Sequence, residues 1–310
     1  MGRTPSVSMV LTALVLSSAS WAAASPQTDA KAQEVLTAAR NALGGEDALT
    51  KVQSVTVTGA NRRVMGEREF SSEVTLDLLF PDKYKRTEEM SFGQGGPSMT
   101  RVSAANGAEV WDDGTNRGGG GFMRFGPGGP GGNAPAAGGP GGTGARREPT
   151  EEERQRFREA QAQRIKSERA RYALIWFLKS DASVTYGGVA EAPDGKADVL
   201  DVKPEGAAPM KLFVDQASHK PLMLTYEGVL PRMMVRGQRP SPEELEKMRS
   251  TPPQQATFEV HFSEYKKVDG VLLPHVISQG VNGSVTEEFT IEKYKLNAPL
   301  KAADFVKKGS

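Results

Sequence analysis

The chain of 310 residues contains no cysteine. Disulfide bonds, thiolate nucleophiles and cysteine metal ligands are therefore excluded, and the folded state depends on side-chain packing alone. A lipid anchor attached to an N-terminal cysteine is excluded by the same absence. We expect a soluble chain that is large enough for one large or two ordinary domains.

An excess of charge of one sign is also lacking. The sequence has 39 Lys and Arg residues against 38 Asp and Glu residues, a formal net charge of +1. Such a balance gives no long-range attraction to nucleic acid or to an anionic membrane. We therefore expect no nucleic-acid partner.

Long apolar runs are missing, and the short run near the start has the pattern of an export signal. Arg3 precedes the apolar stretch 9–16, and Ala22-Ala23-Ala24 matches a small-residue cleavage site. About eight apolar residues cannot cross a hydrocarbon core of roughly 30 Å. The sequence predicts a signal peptide of residues 1–24, cleaved after Ala24, and a periplasmic chain that does not span a membrane.

Known catalytic and cofactor motifs are not found. The histidines, His219, His261 and His275, have no metal-ligand spacing, and we expect each to face solvent or to be bonded locally. No G-x-S-x-G elbow and no phosphate-binding loop occur. We expect no metal, no cofactor and no enzymatic activity.

Helical and strand periodicities divide the rest of the chain. Val35, Leu36, Ala39 and Leu43 recur at helical spacing before Gly44-Gly45. From Ser54 the apolar period becomes two, and Asp269-Gly270 and Asn282-Gly283 are hairpin signals. We count ten to twelve strands, few of them separated by helices. The predicted fold class is mainly β with α: one large, curved antiparallel sheet with helices against its inner face.

Three segments interrupt the predicted single domain of residues 25–310. Residues 118–144 are rich in Gly and Pro and predict a disordered insertion. Residues 149–180 predict a helix that could cover the sheet. Residues 231–253, bounded by prolines, predict a surface excursion with a short capped helix.

Two charged features have more than one interpretation. Asp112-Asp113 could form a metal or acid–base pair, but adjacent strand residues point to opposite faces, and with Gly114 a turn is the simpler interpretation. The Arg- and Glu-rich stretch 151–171 is either a solvated helix face or a dock for an acidic partner. Strand patterning otherwise places most charges outside the sheet.

An apolar run, 172–178, closes this charged helix. A segment that is apolar on all sides is usually buried on several sides. Two interpretations stay open: an ordinary core segment, or the inner surface of a lid over an apolar cavity.

The order of these elements resembles a known superfamily. The helix "LTAARNALGG", the meander ending in "NGAEVWDDG", and the C-terminal "YKKVDGVLLPHVI" and "EEFTIEKYKLNAPLKAADF" are similar to LolA/LolB-type outer-membrane lipoprotein-sorting proteins. The resemblance implies an unclosed half-barrel that holds acyl chains in an apolar cavity under helices, without catalytic residues. The cysteine-free chain and its Gly-rich insertion depart from that pattern, and no arginine can be assigned the superfamily's cavity-closing role.

The resemblance implies a non-catalytic binding or carrier protein for a lipid or lipoprotein acyl chain, with a lipid-modified protein or an envelope protein as possible partners. The alternative is a structural or protein-interaction module of the cell envelope with a filled core and no ligand. The cavity-lining candidates are Leu174, Ile175, Trp176, Phe177 and Leu178 of the lid, with Val74, Leu76, Leu78, Trp111, Leu222, Leu224 and Phe262 of the strands.

Overall fold

The computed structural model describes the chain in eight stretches. They are residues 26–65, 68–91, 98–117, 150–172, 183–192, 195–204, 208–229 and 254–307. The predicted signal peptide and the segments 118–144 and 231–253 lie outside these stretches, and the division into domains stays a prediction. Within the described residues no helix is both long enough and apolar enough to cross a membrane.

Twelve antiparallel strands form one sheet in the order β5-β4-β3-β2-β1-β12-β11-β10-β9-β8-β7-β6. Strands β5 and β6 are its two edges, so the sheet is not closed into a barrel. The predicted fold class is confirmed. The strands are β1 (Ser54–Met65), β2 (Arg68–Leu79), β3 (Lys83–Ser91), β4 (Ser98–Asn106), β5 (Glu109–Arg117), β6 (Ser183–Ala192), β7 (Gly195–Lys203), β8 (Met210–Asp215), β9 (Pro221–Val229), β10 (Gln255–Val268), β11 (Val271–Val281) and β12 (Ser284–Leu296).

Tight turns occur where the sequence predicts them. The turn between β10 and β11 has positive φ at Asp269 and Gly270, and the turn between β11 and β12 has positive φ at Asn282 and Gly283. This conformation suits an Asn-Gly or Asp-Gly pair because glycine has no Cβ and Asn and Asp tolerate left-handed backbone. The turns fix the register of the three C-terminal strands.

Helices cover one face of the sheet, which we call the inner face. Strand register places Val57, Leu76, Arg86 and Ser103 in one row on it, across β1 to β4. Its apolar residues form one continuous core with α1 (Pro26–Ala42) and α2 (Glu46–Lys51). The predicted helical stripe is confirmed, since Val35, Leu36, Ala39 and Leu43 are all buried.

Helix α3 (Glu151–Tyr172) bridges two distant parts of the sheet. Near its C-terminal end, Arg169 Nη1 donates to the carbonyl of Asp82 in the β2–β3 turn at 3.3 Å. Two residues earlier in the helix, Ser167 Oγ accepts from the backbone N–H of Ala208, just before β8, at 3.3 Å. Strands β3 and β8 are far apart in the sheet order, so the helix crosses the space in front of the inner face.

Candidate functional site

The lid residues of the predicted cavity, Leu174, Ile175, Trp176, Phe177 and Leu178, lie outside the described residues. The helix that precedes them is described as far as Tyr172. Its Ile165 is completely buried. The assignment of the five residues to a lid surface therefore stays a prediction.

Five of the predicted strand residues share the inner face. Val74, Leu76 and Leu78 lie on β2, while Leu224 lies on β9 and Phe262 on β10. None is more than 4% exposed, and all belong to the same apolar core. The structure therefore brings these five residues into one apolar floor, which we call the floor below.

Trp111 lies on the opposite, outer face. It pairs with Ala104, in the row that continues through Lys85 to Asp77. Its indole Nε1 donates to the carbonyl of Phe305 at 2.9 Å, in the C-terminal 3-10 turn Ala302–Phe305. Trp111 thus holds the C-terminal segment against the outer face and does not join the floor.

Leu222 is also separated from the floor. Phe213 pairs with Met223 and Val214 pairs with Pro221, so Leu222 is the extra residue of a bulge in β9. A bulge shifts the alternation of side chains by one residue. Leu222 is 42% exposed, whereas Leu224 two residues later is fully buried.

Four charged side chains lie on the inner face beside the floor, as exceptions to the expectation that the strands place most charges outside. Arg86 Nη1 lies 2.9 Å from Glu88 Oε2, and Arg63 contacts both Glu88 and Glu287 at 3.1 and 3.4 Å. Arg86, Glu88 and Glu287 are all buried. We call Arg63, Arg86, Glu88 and Glu287 the inner-face ion cluster.

Glu88 is ionised within this cluster. Burial alone would raise its pKa, but the charges of Arg86 and Arg63 and a hydrogen bond from Ser72 outweigh burial and lower the pKa of the carboxyl. The Ser72 hydroxyl donates to Glu88 Oε1 at 2.7 Å. The Glu88 carboxylate is therefore paired with Arg86 and Arg63 at neutral pH.

Helix α3 reaches this cluster through Glu168. Its carboxylate accepts a hydrogen bond from the Tyr84 hydroxyl at 3.1 Å and lies 3.7 Å from Arg86 Nε. Both Glu168 and Arg169 are buried. The interpretation of this stretch as a solvated helix face is therefore wrong for its C-terminal half. It is right for the N-terminal half, where Arg156 and Glu152 form an exposed pair at 2.6 Å.

Asp112 connects the helix to the edge of the sheet. Both its carboxylate oxygens accept from Arg101, at 3.3 and 2.7 Å, and Oδ2 also accepts from Arg164 of α3 at 2.7 Å. Asp112 and Asp113 lie within β5, so the interpretation of this pair as a turn is wrong. Asp112 anchors the helix.

No metal-binding cluster of His, Asp and Glu occurs among the described residues. His261 lies 3.7 Å from Glu259, and His275 contacts the Leu273 carbonyl and the edge of Tyr294. His219 lies in the β8–β9 connection with positive φ. Each histidine is exposed or bonded locally, as predicted.

A cleft of about 430 Å³ lies away from the floor. It lies between α2, the β10–β11 turn and the end of β12, and is lined by Gly44, Asp47, Ala48, Lys51, Val52, Asp269, Leu296 and Asn297. This mixed polar and apolar lining holds no side chain of the floor or of the inner-face ion cluster.

One feature of the sequence could have indicated the inner-face ion cluster. Tyr84, Arg86 and Glu88 alternate along β3, and β2–β3 pairing sets them against Leu78, Leu76 and Val74. Knowledge of that register would have placed the charges on the apolar side. Glu287 and Glu168 join from distant parts of the chain, and no local pattern indicates them.

The solved structures that are similar to the chain include the following three. A LolA superfamily protein from Nitrosomonas europaea matches with a TM-score of 0.47 and 12% identity over 89% of this chain and 97% of that chain. A domain named for outer membrane lipoprotein sorting, from Vibrio parahaemolyticus, matches with a TM-score of 0.43 and 10% identity over 88% and 97%. A DUF1329 family protein from Desulfovibrio piger matches with a TM-score of 0.39 and 11% identity over 89% and 97%.

No family model matches the sequence, and no curated protein matches it. At these identities the likeness concerns the fold alone.

Proposed function

We propose that the protein is a periplasmic, non-catalytic carrier that binds an acyl chain of a lipid or lipoprotein between the floor and α3. The observation that carries this proposal is how the helix is held. Its described contacts with the sheet are mainly polar: Arg164 with Asp112, Glu168 with Tyr84 and Arg86, Arg169 with the Asp82 carbonyl, and Ser167 with Ala208.

Polar contacts of this kind favour a cover that can open. Among the described contacts of α3, the ionic groups become hydrated when the helix lifts, and Ile165 is the buried apolar side chain that opening exposes. The apolar floor beneath gains a new partner when an acyl chain enters. Burying an apolar side chain contributes about 1.5–3 kcal/mol, whether the partner is protein or lipid.

A second function, an envelope interaction module without a ligand, is favoured by the burial of the floor. Its five residues are almost inaccessible and belong to one continuous core with α1. In that account α3 is a fixed part of the fold, and its exposed charged half, including Arg154, Arg156 and Arg158, contacts a partner protein.

Native mass spectrometry of protein purified gently from the periplasm, followed by lipid extraction, separates the two functions. The carrier account expects a stoichiometric added mass that resolves into an acylated molecule, and uptake of added lipid. A mass without any addition, together with no uptake of added lipid, would abandon the carrier account in favour of the interaction module.

A further inference from the structure

We infer that the inner face holds a receptor for the carboxylate of a single-chain fatty acid, built from Tyr84, Arg86 and Asn61, and that Glu168 of α3 occupies it while the helix is closed. This inference rests on the proposed carrier function and specifies the ligand's polar end.

The receptor is visible in the contacts of Glu168. Its carboxylate comes from the helix, whereas the groups that receive it, the Tyr84 hydroxyl and the Arg86 guanidinium, belong to β3. Tyr84 and Arg86 are buried, so their positions are set by the sheet. A planar guanidinium beside a hydroxyl is a suitable receptor for a carboxylate, because charge-assisted hydrogen bonds to carboxylates are strong and directional. Lifting α3 removes Glu168 and leaves these groups in place.

Asn61 is an independent sign of a polar ligand. Its side chain is 1% exposed, and neither its Oδ1 nor its Nδ2 has a hydrogen-bond partner among the residues that the structure describes. Buried side-chain amides are almost always hydrogen-bonded, so such a residue in a folded chain calls for a reason. A ligand oxygen that accepts a hydrogen bond from Asn61 Nδ2 would explain why this amide is buried without a protein partner.

Register places Asn61 beside the same cluster. It pairs with Ser72 on one side, which bonds Glu88, and with Phe289 on the other, two residues from Glu287. Arg86 reaches from β3 to within 3.9 Å of Glu287 on β12, and β2 and β1 lie between these strands. The guanidinium therefore extends over the inner face of β1, where Asn61 lies.

The group that occupies the receptor in the closed form is itself a carboxylate: Glu168 Oε1 accepts from the Tyr84 hydroxyl and lies 3.7 Å from Arg86 Nε. A fatty acid presents the same functional group. Its chain then extends along Leu76, Val74 and the rest of the floor, which lies directly beside Arg86 in the strand register.

The test compares palmitate with methyl palmitate, which has the same chain without the charge, by isothermal titration of the purified protein. We expect palmitate to bind at least about tenfold more tightly, because a hydrogen bond to a charged group is worth more than one to a neutral group. Asn61→Leu should remove most of that preference without loss of thermal stability, since it removes buried amide atoms that have no partner. Glu168→Gln should strengthen palmitate binding, because the competing charge is gone.

Three results would overturn the inference. If palmitate and methyl palmitate bind equally, or if Asn61→Leu leaves the preference unchanged, the carboxylate receptor is wrong while the carrier function stands. If neither compound binds, the carrier function fails and the receptor fails with it.

Discussion

Nη2 of Arg86 on β3 lies 3.9 Å from Oε1 of Glu287 on β12, although two strands, β2 and β1, lie between them in the sheet. Adjacent strands are separated by about 4.8 Å, so in a flat sheet the two backbones would be roughly 14 Å apart. Both side chains must lean inward over β1 to meet. This contact marks the charged end of the inner face and links it to the helix that covers it.

The ion cluster makes folding stability sensitive to acid. Glu88→Gln removes the charge that pairs with both Arg86 and Arg63, and we expect it to lower the free energy of unfolding at neutral pH by on the order of 3 kcal/mol. The folded-state pKa of Glu88 is lowered from 4.5, so its contribution is present above pH 4.5 and is lost as pH falls through the folded-state pKa.

Urea denaturation at neutral pH and below pH 4.5 checks this prediction, with the gap between wild type and Glu88→Gln shrinking in acid. Glu89→Gln, one residue along the same strand and exposed, is the control and should behave as wild type. An equal gap at both pH values would show that the charge of Glu88 is not the stabilising feature.

The single described apolar anchor of α3 controls how often the helix detaches. Ile165 is completely buried, and Ile165→Ala is expected to cost about 3 kcal/mol in the attachment of the helix. Hydrogen exchange should therefore accelerate in α3 while the strands of the floor stay protected.

Arg156→Ala is the matched variant on the same helix. Its exposed pair with Glu152 is worth no more than about 0.5 kcal/mol, so exchange should not change. Uniform acceleration across helix and sheet in Ile165→Ala would mean that α3 and the sheet unfold as one unit, contrary to a separable cover.

Leucines two residues apart on β9 should differ sharply in their effect on stability. Leu224→Ala removes a fully buried floor residue and is expected to cost about 2–5 kcal/mol. Leu222→Ala alters an exposed bulge residue and should stay within about 0.5 kcal/mol of wild type. Thermal or chemical denaturation of the two variants checks the face assignment, and similar losses would contradict it.

Much of the fold could be predicted from period-two patterning and turn chemistry. The alternation of Val74, Leu76 and Leu78 predicts an apolar strand face, and all three are buried. Asp269-Gly270 and Asn282-Gly283 predict hairpin turns, and both turns are present. These signals are local, because each depends on neighbours in the chain.

The parts that sequence reasoning missed depend on register and on distant partners. Leu222 is not part of the floor because it is the extra residue of a bulge in β9. Trp111 is not part of it because the pairing of β4 with β5 places its side chain on the outer face. When each strand is considered alone, Arg86 and Glu88 are assigned to the outer face, since charged residues usually face solvent. Their partners, Glu287 and Glu168, come from segments about 200 and 80 residues away in the printed sequence.

The central claim, that an acyl chain enters between α3 and the floor, is tested most directly by locking the helix to the sheet. Ser167 Oγ lies 3.3 Å from the backbone nitrogen of Ala208, so these positions are close enough to propose a cross-link. Because the chain has no cysteine, Ser167→Cys with Ala208→Cys introduces the only two thiols.

The measurement is the uptake of a pyrene-labelled acyl ester by this double variant, with disulfide formation verified by mass and with Ser167→Cys alone as the control. The account predicts that the oxidised double variant takes up little ester, and that reduction restores uptake to the level of the control. Uptake at the control level by the fully oxidised protein would contradict entry beneath α3.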